Sequence, residues 1–352
     1  MIAVPPRACK ARMRATREGL SGALVSQNAA LAGGALGRAD TRAVPRQPEL
    51  PDARRWLQLG LAATWVVDGV LQYQSFMFTR AFGQMLAGTA SGNPAVIADP
   101  ITWAARIVAQ HPVPTNAAFA TIQLLIGLGI ACRSTARAAL AASIAWAVAV
   151  WWFGEGLGGV LNGGASPVNG APGAVILYAL LAVLLWPAGA NVAGAVFVAA
   201  RPIGSAAARC LWLVLWASLA YFAVSAGNRT AQGLHDMVAG MAGGEPGWLS
   251  AINRGAASVI SHRGLAASVV LAVLLAVIAV GVFLPAPLWR ATVVLAVVLS
   301  LGIWIVGQDL GTILAGGATD LNSGPLLALV ALAYWPRLTP AAGAPEPEKE
   351  LA

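Results

Sequence analysis

Long runs of apolar residues recur along most of the chain, separated by short segments rich in glycine, proline and polar residues. Several runs approach the roughly 20 residues that an α-helix needs to cross a bilayer. This pattern predicts eight transmembrane helices, at residues 56–74, 117–132, 137–153, 173–192, 208–226, 264–284, 288–306 and 324–336. We therefore expect an all-α membrane protein with eight spans.

The composition excludes an ordinary soluble domain. Of the 352 residues, 58% are hydrophobic and only 10% are charged, and the mean hydropathy is +0.71. Soluble proteins carry about 25% charged residues. The three cysteines, Cys9, Cys132 and Cys210, are far apart and form no CxxC pair, which disfavours a dithiol redox motif, a zinc knuckle or a disulfide framework.

The positive charge is unevenly distributed. Residues up to Arg55 hold ten Lys and Arg against four acidic residues, so +6 of the net charge of +8 precedes the first apolar run. With the N-terminus inside, 17 of the 22 Lys and Arg lie on the inner side and five on the outer side. The positive-inside rule then predicts that both termini are cytoplasmic, in a protein of the cell inner membrane.

Both ends of the chain have the composition of disordered segments. Residues 1–54 are basic and contain no continuous apolar core of a signal peptide, which predicts a cytoplasmic tail, with an organellar transit peptide as the alternative. Residues 338–352 are rich in Pro and Glu and are also predicted to be disordered. The basic tail indicates the lipid surface as its partner, not nucleic acid, because only one Trp accompanies its charges.

An internal repeat divides the apolar part of the chain. The segment GEGLGGVLNGGASPVNGAP at residues 154–172 matches GQDLGTILAGGATDLNSGP at residues 307–325 without a gap. A shorter match precedes it, between MLAGTASGNP at residues 85–94 and MVAGMAGGEP at residues 237–246. We predict two tandem four-helix bundles, at residues 55–200 and 201–337. Because each unit has an even number of spans, the two would be parallel repeats about an axis normal to the membrane.

The start of the first unit resembles a known family. Arg55 together with LGLAATWVVDGVLQYQ at residues 59–74 is similar to the first helix of the DoxX/DoxD-like integral membrane proteins, here with the four-helix unit duplicated. The resemblance implies a compact four-helix bundle in a bacterial inner membrane. It also implies a possible membrane subunit of a quinone-linked redox or stress-response assembly, with quinone as the cofactor and a redox enzyme as the partner protein.

Asp68 is the most distinctive polar residue within a predicted span. Gln72 lies one helical turn further on the same face. An ionisable residue in a membrane span costs about 3 kcal/mol on insertion scales and is a candidate for function. Asp68 could relay protons or contact a quinone headgroup; the alternative is a structural hydrogen bond to a neighbouring helix.

The repeated segments supply further candidates for a polar pocket. Glu155 and Asp309 lie one residue out of register in the two copies, at the predicted outer ends of spans three and seven. They could face each other and hold a cation or a proton, or belong to loops whose Gly, Asn and Pro residues only form turns. The predicted pocket comprises Asp68, Gln72, Glu155, Gln308, Asp309, Asp320 and Asn322.

The histidines are candidate ligands of a metal ion. His111, His235 and His262 fall in predicted outer loops together with Met237, and His with Met would favour Cu(I). The alternative is an amphipathic helix on the membrane surface.

Three functions remain open from the sequence. The chain could be a redox subunit, a transporter of small solutes or metal ions that uses carboxylates between the repeats, or a scaffold without a ligand. Whether it is an enzyme is left undecided.

Overall fold

The computed structural model describes residues 52–187, 196–225, 228–230 and 232–336, and these residues form α-helices joined by turns and 3-10 segments. The predicted tails therefore lie outside the described residues, apart from 52–54. The α-helices in the described part of the chain are α1 (Ala53–Leu71), α2 (Arg80–Gly88), α3 (Ala95–Gln110), α4 (Pro112–Ala131), α5 (Ala136–Phe153), α6 (Ala174–Leu184), α7 (Ala200–Ile203), α8 (Ser205–Ala223), α9 (Gly233–Met241), α10 (Gly247–Ile260), α11 (Gly264–Gly281), α12 (Ala286–Val306) and α13 (Ser323–Ala333).

Five of these helices, α4, α5, α8, α11 and α12, are long and apolar enough to cross a membrane. They indicate a multi-pass membrane protein. Each of the eight predicted spans overlaps a helix. The three spans outside this group of five overlap α1, α6 and α13, which do not meet the same criteria of length and hydrophobicity. The 19-residue α1 carries Arg54, Arg55 and Asp68, while α6 and α13 are apolar but have only 11 residues each.

The ends of two predicted spans are displaced for a local reason. The fourth predicted span extends to residue 192, yet α6 ends at Leu184, shortly before the Trp186–Pro187 pair. The last span was predicted to reach residue 336, yet α13 ends at Ala333, shortly before Trp335–Pro336. A proline disfavours the helical conformation of the residue before it, so both helices stop early.

Hydrogen bonds at both ends hold α1 antiparallel to α4. At one end, Arg55 donates to the backbone carbonyl of Ile130 at 2.9 Å. At the other end, the Asn116 amide donates to the carbonyl of Gln72 at 2.6 Å. The α8–α11 pair is held in the same way, through Trp212 to the carbonyl of Ile278 and through Ser268 to that of Asn228.

Further antiparallel pairs are formed by α5 with α6 and by α12 with α13, and α6 packs on α13. The main apolar core lies between these helices and includes the fully buried Trp65, Trp212, Trp216, Tyr178 and Tyr334. The shorter helices α2, α3, α9 and α10 follow α1 and α8 and lie at the end of the bundle where those two helices finish.

Two loops at this same end carry most of the predicted polar residues. We call residues 154–173, between α5 and α6, loop A, and residues 307–322, between α12 and α13, loop B. Five sequence-matched positions of the two loops have left-handed backbone angles, namely Gly156 and Asp309, Leu157 and Leu310, Gly158 and Gly311, Gly159 and Thr312, and Gly163 and Gly316. The two loops therefore share a backbone conformation that is unusual for residues other than glycine.

Candidate functional site

A cavity of about 700 Å³ lies where the end of α1 meets loops A and B, and its lining includes Asp68, Glu155 and Asp320. We call it the carboxylate pocket. Its amide side chains are those of Gln72, Gln123, Asn162, Asn169 and Asn322. Its aromatic side chains are those of Trp65, Phe82, Phe119, Trp146 and Phe153. Within the described ranges, no Lys, Arg or His side chain lines it.

Asp68 is only 2% exposed and is held by donors from two different helical regions. The Tyr178 hydroxyl of α6 donates to one carboxylate oxygen, and the Leu321 backbone N–H of loop B donates to the other at 3.1 Å. The Tyr178 ring also packs on Trp65, with 4.2 Å between ring centroids. Asp68 thus links α1 to α6 and to a loop from the second half of the chain.

Gln72 directly follows α1, one helical turn beyond Asp68; its side chain uses its donor but has an acceptor without a partner. Its side-chain nitrogen donates to the carbonyl of Thr319 at 3.0 Å, which fixes the orientation of the amide. Its Oε1 is buried and has no hydrogen-bond partner among the described residues. The same is true of Gln123 Oε1, so two acceptors of the pocket lining are unsatisfied by the described part of the chain.

Glu155 lies in loop A at the N-terminus of α6. Its carboxylate accepts from the backbone N–H of Val175 at 3.2 Å. Gly173 makes room for this carboxylate, because a β-carbon at that position would collide with Glu155 Oε2 and with the Trp151 indole. Burial, together with the negative charge of Asp320, raises the pKa of Glu155 to about 8.

Asp320 is the carboxylate that the second half contributes to the pocket. Its oxygens accept from the Thr319 hydroxyl at 2.8 Å and from the Asn322 backbone N–H at 2.7 Å. Burial raises the pKa of Asp320 as well. It lies within electrostatic range of both Asp68 and Glu155, so three acidic side chains surround one cavity.

Five of the seven residues predicted for a polar pocket therefore line this cavity: Asp68, Gln72, Glu155, Asp320 and Asn322. The other two do not. Gln308 is buried beside loop A, where its amide nitrogen donates to the carbonyl of Pro167 at 3.1 Å. Asp309 instead accepts from the Asn253 amide of α10. Asp320, and not Asp309, is the acidic neighbour of Glu155.

The residues predicted for a metal site lie apart from the carboxylate pocket. His235 contacts Asp236 at 2.9 Å, and His262 contacts Gln232 at 3.1 Å. His111 is exposed between α3 and α4, and Met237 packs into a small apolar cluster. Among the described residues, no group of three His, Cys, Asp or Glu side chains could hold a metal ion.

Three residues at this site were not predicted from the sequence: Gln123 and Trp146, which line the pocket, and Tyr178, which donates to Asp68. All three lie inside long apolar runs, where no spacing or motif marks them. The only available signal was the presence of a hydroxyl or amide in such a run, since polar groups in membrane spans usually face the protein interior.

Comparison of the chain with protein-family models, with curated proteins and with solved structures finds no match. Its function must therefore be inferred from the geometry and chemistry of this pocket.

Proposed function

We propose that this protein is an eight-span inner-membrane transporter that binds a small organic cation in the carboxylate pocket and exchanges it for protons. The observation that carries the proposal is the chemistry of the lining. Three carboxyl groups and two unpartnered amide oxygens offer hydrogen-bond acceptors to a ligand, while the lining contains no basic side chain from the described residues.

An organic cation fits this lining better than a neutral or anionic solute. Its charge would favour the ionised form of Asp320 and of its two acidic neighbours. Its N–H groups, where it has them, would satisfy Gln72 Oε1 and Gln123 Oε1. The aromatic residues of the lining could stabilise it further, because a cation over an aromatic ring gains about 0.5–2 kcal/mol.

Proton exchange is supported by Glu155. With a pKa of about 8, this side chain holds a proton at neutral pH. A cation that enters the pocket favours the charged carboxylate and releases that proton. Loss of the cation lets the proton return, so one side chain would couple the two movements.

The arrangement of charge supports the proposed orientation. Described arginines at the end where α1 begins are Arg54, Arg55, Arg133, Arg137, Arg201, Arg209 and Arg290. The acidic residue described at that end is Asp52, whereas the opposite end carries the acidic residues of loops A and B. The positive-inside rule then puts the pocket near the outer side and both termini in the cytoplasm.

The sequence repeat supports a parallel, two-unit arrangement. Each proposed unit has the same order of helices, α1 to α6 in the first and α8 to α13 in the second. The pocket draws Asp68 and Glu155 from one unit and Asp320 from the other. A site between two repeats is where many transporters bind their solutes.

A DoxX-like, quinone-linked redox subunit is the second candidate, and one observation favours it. The Trp146 indole lines the pocket, and its N–H has no hydrogen-bond partner among the described residues. A quinone carbonyl could accept that hydrogen bond while the ring packs among the aromatic side chains. The carboxylates argue against a neutral ligand, so we place this candidate second.

The test is uptake of labelled tetraethylammonium into proteoliposomes under an imposed pH gradient. This ion is permanently charged, so it does not cross the bilayer unaided. We expect gradient-dependent uptake by the wild type and at least a tenfold loss in Asp68→Asn. The matched control is Asp99→Asn, which removes an exposed carboxylate from α3 and should leave uptake unchanged.

Uptake no greater than in protein-free liposomes, or uptake that is unchanged in Asp68→Asn, would reject the transporter. In that case, saturable binding of a short-chain benzoquinone to the same protein would favour the redox candidate.

A further inference from the structure

A second polar cluster lies in the second half of the chain, away from the carboxylate pocket. Asp309 of loop B accepts a hydrogen bond from the amide nitrogen of Asn253 in α10. Both residues are completely buried. The remaining oxygens, Asp309 Oδ2 and Asn253 Oδ1, have no hydrogen-bond partner among the described residues.

Glu245, just before α10, adds two more oxygens of the same kind. Both of its carboxylate oxygens are buried and lack a hydrogen-bond partner within the described ranges. Asp309 lies within electrostatic range of Glu245. The cluster therefore contains two acidic side chains and four unpartnered oxygens, all of them acceptors.

The matching residues of the first half meet in the same way. When the two halves are aligned on Pro94 and Pro246, Glu245 and Asn253 match Asn93 and Ile101; Asp309 matches Gly156 in the repeated loop segments. A β-carbon added to Gly156 would lie 3.0 Å from Asn93 Nδ2 and 3.5 Å from Ile101 Cδ1. The three positions thus adjoin one another in the first half too, but only the second half has an oxygen-bearing side chain at all three.

A proton alone does not satisfy this cluster. A buried acceptor without a donor costs about 1–3 kcal/mol. A proton on Asp309 could be donated to Asn253 Oδ1, but both Glu245 oxygens would still lack a donor. A hard divalent cation binds carboxylate and amide oxygens and would neutralise the two negative charges at once.

We propose that Asp309, Asn253 and Glu245 bind a hard divalent cation of the Ca²⁺ class, which fastens the start and middle of α10 to loop B. Neither Glu245, Asn253 nor Asp309 lines the carboxylate pocket. This site is therefore independent of the proposed transport function, and either can fail without the other.

The experiment uses the full-length protein in lipid nanodiscs after treatment with a chelator. Equilibrium binding of ⁴⁵Ca²⁺ and the thermal unfolding midpoint are measured against CaCl₂, with ionic strength held constant by NaCl. We expect about one Ca²⁺ bound per chain and a saturable rise in the midpoint. Asp309→Asn and Glu245→Gln should each weaken Ca²⁺ binding at least tenfold.

The control is Asp236→Asn, which removes a carboxylate of α9 that contacts His235 instead of this cluster, and it should bind Ca²⁺ like the wild type. Should Asp309→Asn fail to fold, Glu245→Gln gives the answer alone, because Glu245 lies in a partly exposed turn. The absence of saturable binding would overturn the proposal. So would binding that survives both substitutions, or a midpoint that responds to acidification but not to Ca²⁺.

Discussion

The end of α1 and the matching end of α8 meet the opposite loops in chemically different ways. In the first half, Asp68 accepts a hydrogen bond from the Leu321 backbone of loop B. At the matching position of the second half, Phe222 packs against Ala165 and Ala171 of loop A. The same contact between helix end and loop is therefore polar in one half and apolar in the other.

Glu155 and its match, Gln308, sharpen the contrast. Each accepts from the second residue of the following helix, Glu155 from the Val175 N–H at 3.2 Å and Gln308 from the Gly324 N–H at 3.1 Å. A neutral amide is therefore sufficient for this structural contact. The local fold therefore does not require a carboxyl group at Glu155, which leaves it available for the proposed cation binding and proton exchange.

We expect the largest effect from Asp68→Phe, which gives α1 the side chain found at the matching position of α8, Phe222. Asp68→Phe removes the acceptor for the Tyr178 hydroxyl and the Leu321 N–H, and unpaired buried groups of this kind cost about 1–3 kcal/mol each. We expect the free energy of unfolding to fall by about 4 kcal/mol, measured by SDS titration. Asp68→Asn, which keeps an acceptor oxygen, should lose much less. Equal stability of Asp68→Phe and the wild type would show that these bonds have no structural role.

The substitution Gln308→Glu in loop B, which introduces the residue type of its match Glu155, should have a moderate effect on stability. Gln308→Glu removes the amide N–H groups that donate to Pro167 O and to Ser323 Oγ, and it brings a carboxylate against a carbonyl. We expect a loss of about 2 kcal/mol in the same titration. The matched substitution Glu155→Gln should be close to neutral at low pH. If Gln308→Glu were neutral as well, the two positions would be equivalent and the contrast drawn between them would be wrong.

The pH dependence of the thermal midpoint should distinguish Glu155, which can ionise, from a neutral glutamine at the same position. The pKa of Glu155 rises from 4.5 to about 8 on folding, so the folded state binds this proton more tightly than the unfolded state. The resulting stabilisation is complete below pH 4.5 and is lost as the pH rises through 8. We expect the thermal midpoint of the wild type to fall between pH 5 and 9, and Glu155→Gln to fall less steeply. Parallel profiles would show that Glu155 titrates normally.

The smallest effect is expected where the loops share a strained backbone. Thr312 has a φ of +56°, and its match Gly159 has a φ of +73°. A left-handed conformation costs a side-chain-bearing residue about 1–2 kcal/mol, so Thr312→Gly should stabilise the protein by about 1 kcal/mol. Gly159→Thr should have the opposite sign. Destabilisation by Thr312→Gly would indicate that contacts of the Thr312 side chain outweigh the strain.

The positions of the long helices could be predicted from hydrophobicity, because the apolar runs of α4, α5, α8, α11 and α12 are continuous. The short helices between them were not separated from loops, since nine-residue helices such as α2 and α9 have no long apolar run. Their ends also depend on single prolines and on tertiary contacts that hydropathy does not report.

The pocket was only partly predictable. Asp68 and Glu155 could be recognised, because a charge near the end of an apolar run is unusual in a membrane protein. Which acidic residue lies next to Glu155 could not be inferred, since Asp309 and Asp320 are in the same loop and differ only in how that loop folds. The role of Tyr178 depends on a contact between residues 110 positions apart.

The crossing of the loops has a consequence for assembly. Loop B completes the surroundings of Asp68, and loop A accepts a hydrogen bond from Ser225 after α8 through the carbonyl of Ala165. A chain of half this length would lack both contacts unless it associated as a homodimer, which would then contain two identical pockets. Joining the halves in one polypeptide fixes their stoichiometry at one to one. It also allows the contact between helix end and loop to be apolar in one half while the other half keeps its carboxylate.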